Sequence, residues 1–211
     1  NRVLAGKIDN YVIDKRFIRK NGEVIWTSLA VGCVRKQDGA VDYFVVLMED
    51  ISERKESVAK LRKSLGAIVQ AIALTVETRD PYTAGHQRRV ANLAQAIASE
   101  MNLSGDQIEG LRMAGMIHDL GKISVPAEIL SKPGKLSENE FALIKTHAQA
   151  GYEILKDIDF PWPIARMVLE HHERLNGSGY PHGLTGDELL IESRILSVAD
   201  VVEAIASHRP Y

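Results

Sequence analysis

His118 and Asp119 stand side by side at the end of an apolar run, Met113-Ala114-Gly115-Met116-Ile117, with Leu120, Gly121 and Lys122 directly after them. An imidazole and a carboxylate at the tail of a buried helix are costly unless something occupies them. Successive helical residues point about 100° apart, so the pair can serve one compact site by facing different members of a metal pair. Taken alone, the dipeptide reads as a capped helix end. Its company argues otherwise. His86, His147, His171, His172 and Asp200 also fall at or near helical positions. Each by itself reads as a satisfied core or surface residue. Jointly, imidazoles and carboxylates without cysteine suit more than one ion of Fe, Mn, Co or Zn. Lys122, just beyond Gly121, can reach an anion held at such metals. His182 and His208 lie in a glycine loop and a helix tail, where solvent is the default.

Composition narrows the classes. The 211 residues carry 45% hydrophobic and 26% charged residues and a net charge of −2, which is ordinary for a soluble globular protein. No global field favours a nucleic-acid polymer, so an anionic substrate has to be recognised locally. The single cysteine, Cys33, rules out a zinc finger and an intrachain disulfide framework, and fits a reducing compartment. No apolar run approaches the roughly 20 residues that span a bilayer. The expected location is cytoplasmic, with a membrane tether possible elsewhere in a parent protein.

The elements that must position these residues are mostly helices. Residues 1–51 come first and read as β: Tyr11 to Arg19, a turn at Asn21-Gly22, Glu23 to Arg35, a turn at Asp38-Gly39, then Val41 to Met48. Asparagine-glycine is a strong hairpin signal, and the result is a three-stranded antiparallel meander too small to bury a core by itself. From Ser52 the chain turns helical, with Val58, Leu61, Leu65, Ile68, Ile72 and Val76 in three-four alternation. This is either a dimeric signalling helix over 52–66 or the first amphipathic helix of the next domain. Asp80-Pro81 breaks it. Helices follow from His86, with Val90, Leu93, Ile97 and Met101 facing a core, then over Gln107 to Leu120, a segment opened by Ser137 with Glu140 as a capping box, Ile164 to Glu170 and Ile191 to Ser207. Gly121 is expected to stop the second of these. Residues 64–211 are thus predicted to be all-α, with a second domain over 67–211.

Several segments resemble known families. "RFIRKNGEVIW" (16–26) and "YFVVLMEDISERK" (43–55) resemble the C-terminal half of a PAS sensor domain, whose usual ending is matched by Asp50 to Arg54. "TAGHQRRV", "HDLGK", "THAQAGYEIL", "HHERLNGSGYP", "SVADVVEAI" and "RPY", from residue 83 to residue 211, resemble the HD-GYP domain in order and spacing. That is a branch of the HD metal-dependent phosphohydrolases. The resemblance implies a mainly α fold, an HD-superfamily helical bundle around a binuclear metal site, preceded by a partial PAS sheet. It also implies a substrate, cyclic di-GMP, hydrolysed to pGpG and in some members onward to GMP. Carried over residue by residue, the metal ligands are His86, His118, Asp119, His147, His171, His172 and Asp200, with Asp119 bridging two divalent ions, Fe or Mn. Lys122 would neutralise charge on the phosphoryl group and Arg209 would hold a phosphate. Tyr180, in the loop Gly177 to Pro181, would meet guanine or a partner. GGDEF-domain proteins are the implied protein partners, and the heptad-like spacing of the linker helix adds an expected homodimer.

One departure stands out. Some members place a glutamate four residues before the first histidine, where it helps hold a third metal; here that residue is Tyr82, which favours two metals and the single cut to pGpG. The family also continues past the position of Tyr211 into further helices, which are expected to be missing here. Two rival readings stay open: an HD phosphohydrolase for another nucleotide, and a catalytically silent receptor or scaffold. All seven ligand positions are filled, which argues for turnover.

Overall fold

The computed structural model describes residues 3, 5, 7–80 and 84–207. Tyr82, His208 and Arg209 lie outside the described residues. The chain divides into two compact units, Asn1–Leu65 and Gly66–Tyr211.

The smaller unit is an antiparallel sheet of β1 (Asn10–Ile18), β2 (Val24–Arg35) and β3 (Val41–Asp50), in that order. Gly22 takes φ 85 at the first turn, where the Arg19 carbonyl accepts from Gly22 and the Glu23 carbonyl from Arg19. The register pairs Arg16 with Trp26 and Val31 with Val46, and one irregularity interrupts β2–β3 pairing between Val34 and Arg35. Its burial is thin. Val12, Ile18 and Leu47 are exposed, while Thr27, Leu29 and Ile51 are buried.

Helix α1 (Ser52–Glu77) follows. Its heptad-like stripe is exposed at Val58, Leu61, Leu65, Ile68 and Ile72, and burial begins only at Ala73 and Val76. The apolar spacing therefore does not mark a buried face over most of this helix.

The larger unit contains α2 (His86–Glu100), α3 (Gly105–Ile117), a 3-10 helix (Leu120–Ser124), α4 (Ala127–Leu130), α5 (Glu138–Leu155), α6 (Ile164–Glu170) and α7 (Ile191–Ala206). Val90, Ala94 and Ala98 recur every four residues along α2 and are fully buried, as a core-facing stripe requires. They join Leu111 and Ala114 of α3, Met167 and Val168 of α6, and Leu196 and Ala199 of α7 in one apolar cluster. Small residues bring the helices close. A Cβ on Gly115 would stand 2.8 Å from the Ala91 Cα. The predicted box of Ser137 and Glu140 caps α5, and a second box, Ser104 with Gln107, caps α3. Both satisfy helix-end N–H groups that would otherwise be orphaned.

Candidate metal centre

Every described residue of the predicted ligand set comes from a helix or a helix end facing one point. His86 opens α2, His147 lies in α5, His171 caps α6 with His172 next to it, and Asp200 lies in α7. His118 caps α3, and Asp119 follows at the entry to the 3-10 helix. The helix expected to run to Leu120 thus ends at Ile117. Asp119, with φ −89 and ψ 7, marks the change of winding. Gly121 is not the stop that was expected, since α3 ends before it and it lies within the 3-10 helix. It is required for proximity: a Cβ there would lie 1.9 Å from the His147 carbonyl oxygen and 2.5 Å from the Gly151 nitrogen. The glycine lets α5 bring His147 against the His118-Asp119 corner.

The rings are packed edge to face. Centroids are 5.4 Å apart for His86–His118, 5.1 Å for His118–His171, 5.2 Å for His147–His171 and 5.0 Å for His147–His172. Three rings share one orienting device. The Nδ1–H of His118 donates to the Gly115 carbonyl at 2.8 Å, that of His147 to Ile144 at 2.7 Å, and that of His171 to Val168 at 2.6 Å. Each bond leaves a lone pair on Nε2, the tautomer a metal needs.

The inward nitrogens then make sense only with an electrophile between them. His118 Nε2 is buried and makes no hydrogen bond. The Nε2 atoms of His147 and His171 face each other at 3.3 Å, two lone pairs with no proton to share. Two groups meet metal-binding geometry: His86, His118 and Asp119, and His147, His171 and His172, with the donor atoms of each within 4.8 Å of one another. Ligands about 2.1 Å from one ion stand roughly 3–4 Å apart. The residues fit a divalent metal.

The carboxylates lie between the groups. Asp119 places Oδ1 3.5 Å from His147 Nε2 and Oδ2 3.6 Å from His118 Nε2. Asp200 places Oδ1 3.1 Å from His86 Nε2 and 3.8 Å from His118 Nε2, and Oδ2 3.9 Å from His172 Nδ1. Burial raises the Asp119 pKa, but Lys122 and the surrounding histidines outweigh it and hold the carboxyl well below its usual range. Asp200 is likewise lowered, its burial outweighed by the bond from His86 and by the nearby imidazoles. Burial pushes His171 well down and takes His172 to about 3, in each case helped by neighbouring histidines. His147 is lowered by burial too. His86 goes the other way, because Asp200, Asp119 and Glu203 together outweigh its burial. The site thus holds His147, His171 and His172 as neutral imidazoles beside charged carboxylates, both competent ligands.

Lys122 lies 2.8 Å from Asp119 Oδ2 and 3.1 Å from Asp80 Oδ2, with 12% of its side chain exposed. Burial lowers its pKa, yet the two carboxylates more than reverse this and hold it charged. Tyr180 packs its ring 4.7 Å from that of His172. Burial and the charges of Asp119 and Asp200 raise its hydroxyl, so it keeps its proton. Asp119, Lys122, His147, His172, Tyr180 and Asp200 all line one hollow of about 290 Å³. His182 is exposed as expected.

Three supporting residues were not foreseen. Glu203 accepts from His86 Nδ1 and is itself bonded by Arg89 and Ser207; its position one turn after Asp200 was the available signal. Asp80 holds Lys122. Buried Glu173, directly after the paired histidines, accepts from the backbone N–H groups of His182, Gly183 and Leu184 at 2.7, 3.1 and 3.1 Å. It pins the loop that carries Tyr180. In that loop Gly177 does take positive φ, at 74. Gly179 does not; it serves a close approach, since its Cβ would meet the Glu173 Cα at 2.3 Å.

Residues 46–211 match the family model described as HD domain. Among curated proteins, the 3'3'-cGAMP-specific phosphodiesterase 3 of Vibrio cholerae is 42% identical over 147 residues, covering 70% of this chain and 32% of that protein. The cyclic di-GMP phosphodiesterase response regulator RpfG of Xanthomonas campestris is 39% identical over 166 residues, covering 78% and 41%. The chain therefore spans well under half the length of these relatives. Among solved structures, Bd1817, a HDG"Y"P protein from Bdellovibrio bacteriovorus, shares the fold with a TM-score of 0.52 at 23% identity, covering 58% of this chain and 40% of that one.

Proposed function

The chain belongs to the HD domain family, and on that premise we propose that it is a metal-dependent phosphodiesterase that opens cyclic di-GMP to linear pGpG. One observation carries the reading: buried His118 Nε2 without a hydrogen bond, beside two carboxylates that each face both histidine groups. His86, His118 and Asp119 would hold one divalent ion and His147, His171 and His172 the other, with Asp119 and Asp200 between them and Fe or Mn as the metals. Bound ions supply Lewis-acid stabilisation of the phosphoryl group and activation of water near neutral pH.

The chain's own groups do the rest. Lys122, kept charged by Asp80 and Asp119, turns its remaining N–H toward a non-bridging phosphoryl oxygen and offsets the charge that builds there. Tyr180 keeps its proton and offers an O–H to the sugar or phosphate beside His172. Arg209 would hold a phosphate. Tyr82 at the third-metal position supports a two-ion site and a single cut. Relatives named for 3'3'-cGAMP and for cyclic di-GMP support a purine cyclic dinucleotide as the class.

Control belongs to the preceding segment in this reading: a partial PAS sheet, and a homodimer formed through the exposed stripe of α1. Replacing Leu61 and Leu65 with glutamate is expected to turn that dimer into monomers in sedimentation velocity, and an unchanged sedimentation coefficient would dismiss the helix as the interface. The loop from Gly177 to Pro181 is the proposed contact for GGDEF-domain partners. The catalytic reading is tested by elemental analysis of anaerobically purified full-length protein alongside a hydrolysis assay on the same sample. About two Fe or Mn per chain with pGpG as product is the expected result. Metal with intact cyclic di-GMP would mark a receptor, and absence of metal would undo the ligand assignment.

A further inference from the structure

The hollow at the metal centre, about 290 Å³, lies at the bottom of the roughly 300–1,000 Å³ range of pockets that enclose a drug-sized ligand. It can take a phosphodiester and its flanking sugars. It cannot also enclose two purines. A second cleft of about 600 Å³ adjoins it, and the two share Lys122 and Ile144 as lining residues. This cleft runs from Lys122 and Asp80 along α4 and the loop after it to the first turns of α5. Among the described residues, a neighbouring hollow of about 490 Å³ shares only Tyr180 with the metal pocket.

The second cleft has the chemistry of a nucleotide seat. Phe141 lines it and is 46% exposed, an aromatic ring held in view at a helix start. Phe141 lies six residues before His147 on α5, about 9 Å along the axis, a separation comparable to the length of one nucleotide. Leu136 and Ile129 supply apolar walls. Of its lysines, Lys132 is neutralised by both oxygens of Glu140, at 2.7 and 2.8 Å. Lys135 is exposed and has no carboxylate within ion-pair distance among the described residues. Lys145, whose ammonium lies 4.8 Å from the Phe141 ring centroid, lines the neighbouring hollow instead.

We propose that this cleft is the subsite for the second nucleotide of a cyclic dinucleotide, with Phe141 as the stacking platform for its purine and Lys135 as the cation facing the phosphodiester that is not cut. The proposal rests on the phosphodiesterase reading above and adds to it where the uncut half of the substrate lies. Stacking tolerates any base because every base presents a π-face, so this subsite holds guanine and adenine alike.

The test uses metal-loaded full-length protein and four probes of function: Kd for cyclic di-GMP, Kd for 3'3'-cGAMP, and kcat/KM for cyclic di-GMP and for bis(p-nitrophenyl) phosphate, a diester with no purine. Phe141→Ala is expected to raise both dinucleotide Kd values about ten-fold or more. It should lower the ratio of kcat/KM for cyclic di-GMP to that for the small diester by a similar factor. Phe141→Tyr, which keeps a ring, should restore both. Lys135→Glu should weaken dinucleotide binding and reduce its salt dependence. Unchanged Kd values in Phe141→Ala overturn the subsite, as does an equal loss on both substrates, which would place the residue's effect at the metals. A protein that binds metal and cuts the small diester yet binds neither dinucleotide overturns the subsite and leaves the metal chemistry standing. A protein with no metal and no diesterase activity removes the underlying reading itself.

Discussion

Lys122 is the residue on which the charge balance of the site turns. It is largely buried between Asp80 and Asp119, and removing one partner of a buried charge group leaves the others uncompensated, at about 3–5 kcal/mol. Lys122→Met is therefore expected to lower the urea-unfolding stability of the metal-free protein by about that much. Excess Mn²⁺ should recover most of the loss, because an ion beside Asp119 supplies the missing counter-charge. An equal loss with and without metal would contradict this account.

The histidines set a pH dependence for the same metal-free protein. His147, His171 and His172 have lowered pKa values in the fold, so below about 6.5 the unfolded chain binds more protons than the folded one, and stability falls with pH. His86, raised in the fold, has the opposite sign: its contribution is complete below about 6.5 and fades as pH rises through its folded value. Below about 6.5 His86 is protonated in both states and adds no slope, so the three lowered histidines leave a loss on acidification of up to roughly 1.4 kcal/mol per pH unit each. Urea midpoints in the presence of a chelator should be clearly lower at pH 5.5 than at pH 7.5. Equal midpoints would mean the rings are not buried as neutral groups. At this scale the ligand types were legible because imidazole and carboxylate have few other reasons to cluster. Their orienting partners were not. Glu203 meets His86 across 117 positions of sequence, and no local pattern announces such a pair.

At the scale of elements, two small residues act in different ways. Gly121 allows the 3-10 helix and α5 to touch, and an added Cβ meets backbone atoms that cannot rotate away. Gly121→Ala is expected to destabilise by about 3 kcal/mol or more and to displace His147, so metal content should fall together with stability. Ser137→Ala removes the α5 cap far from the rings. It should cost about 1 kcal/mol and leave the metal stoichiometry intact. Its partner Glu140 is held down to about 2, chiefly by Lys132 and by the Ser137 N–H and hydroxyl, so the contribution of the box is present above about 4.3 and is lost as pH falls toward 2. Metal analysis of the two variants separates a positioning effect from a stability effect. The Ser137 box was readable from sequence because its chemistry is local. The end of α3 at Ile117 was not, because the close contact of Gly121 with α5 joins residues far apart in sequence, and apolar periodicity carries no record of it.

The whole molecule sets two units of unequal cohesion on one chain. The larger has a continuous apolar cluster and a buried charged site, so its stability is linked to metal. The smaller is a three-stranded sheet whose β1 residues are all exposed and whose β3 is nearly so, close to the limit at which a sheet folds alone. The hairpin turns fixed that sheet's register and made it legible. Its thin burial was legible as well, since a three-stranded meander is too small to bury a core by itself. Metal should therefore separate the two units in calorimetry. A ligand at about 100 times its Kd adds about 2.7 kcal/mol, worth roughly 2–8 °C for a domain near this size. Addition of Mn²⁺ to chelator-treated protein is expected to raise one transition, that of the helical unit, by at least this much. The transition of the sheet should stay where it was. If both rise together, the units fold as one cooperative body and the division at Leu65 has no thermodynamic meaning. If neither moves, no ion binds the folded state preferentially, and the inward-facing nitrogens of His118, His147 and His171 need another explanation.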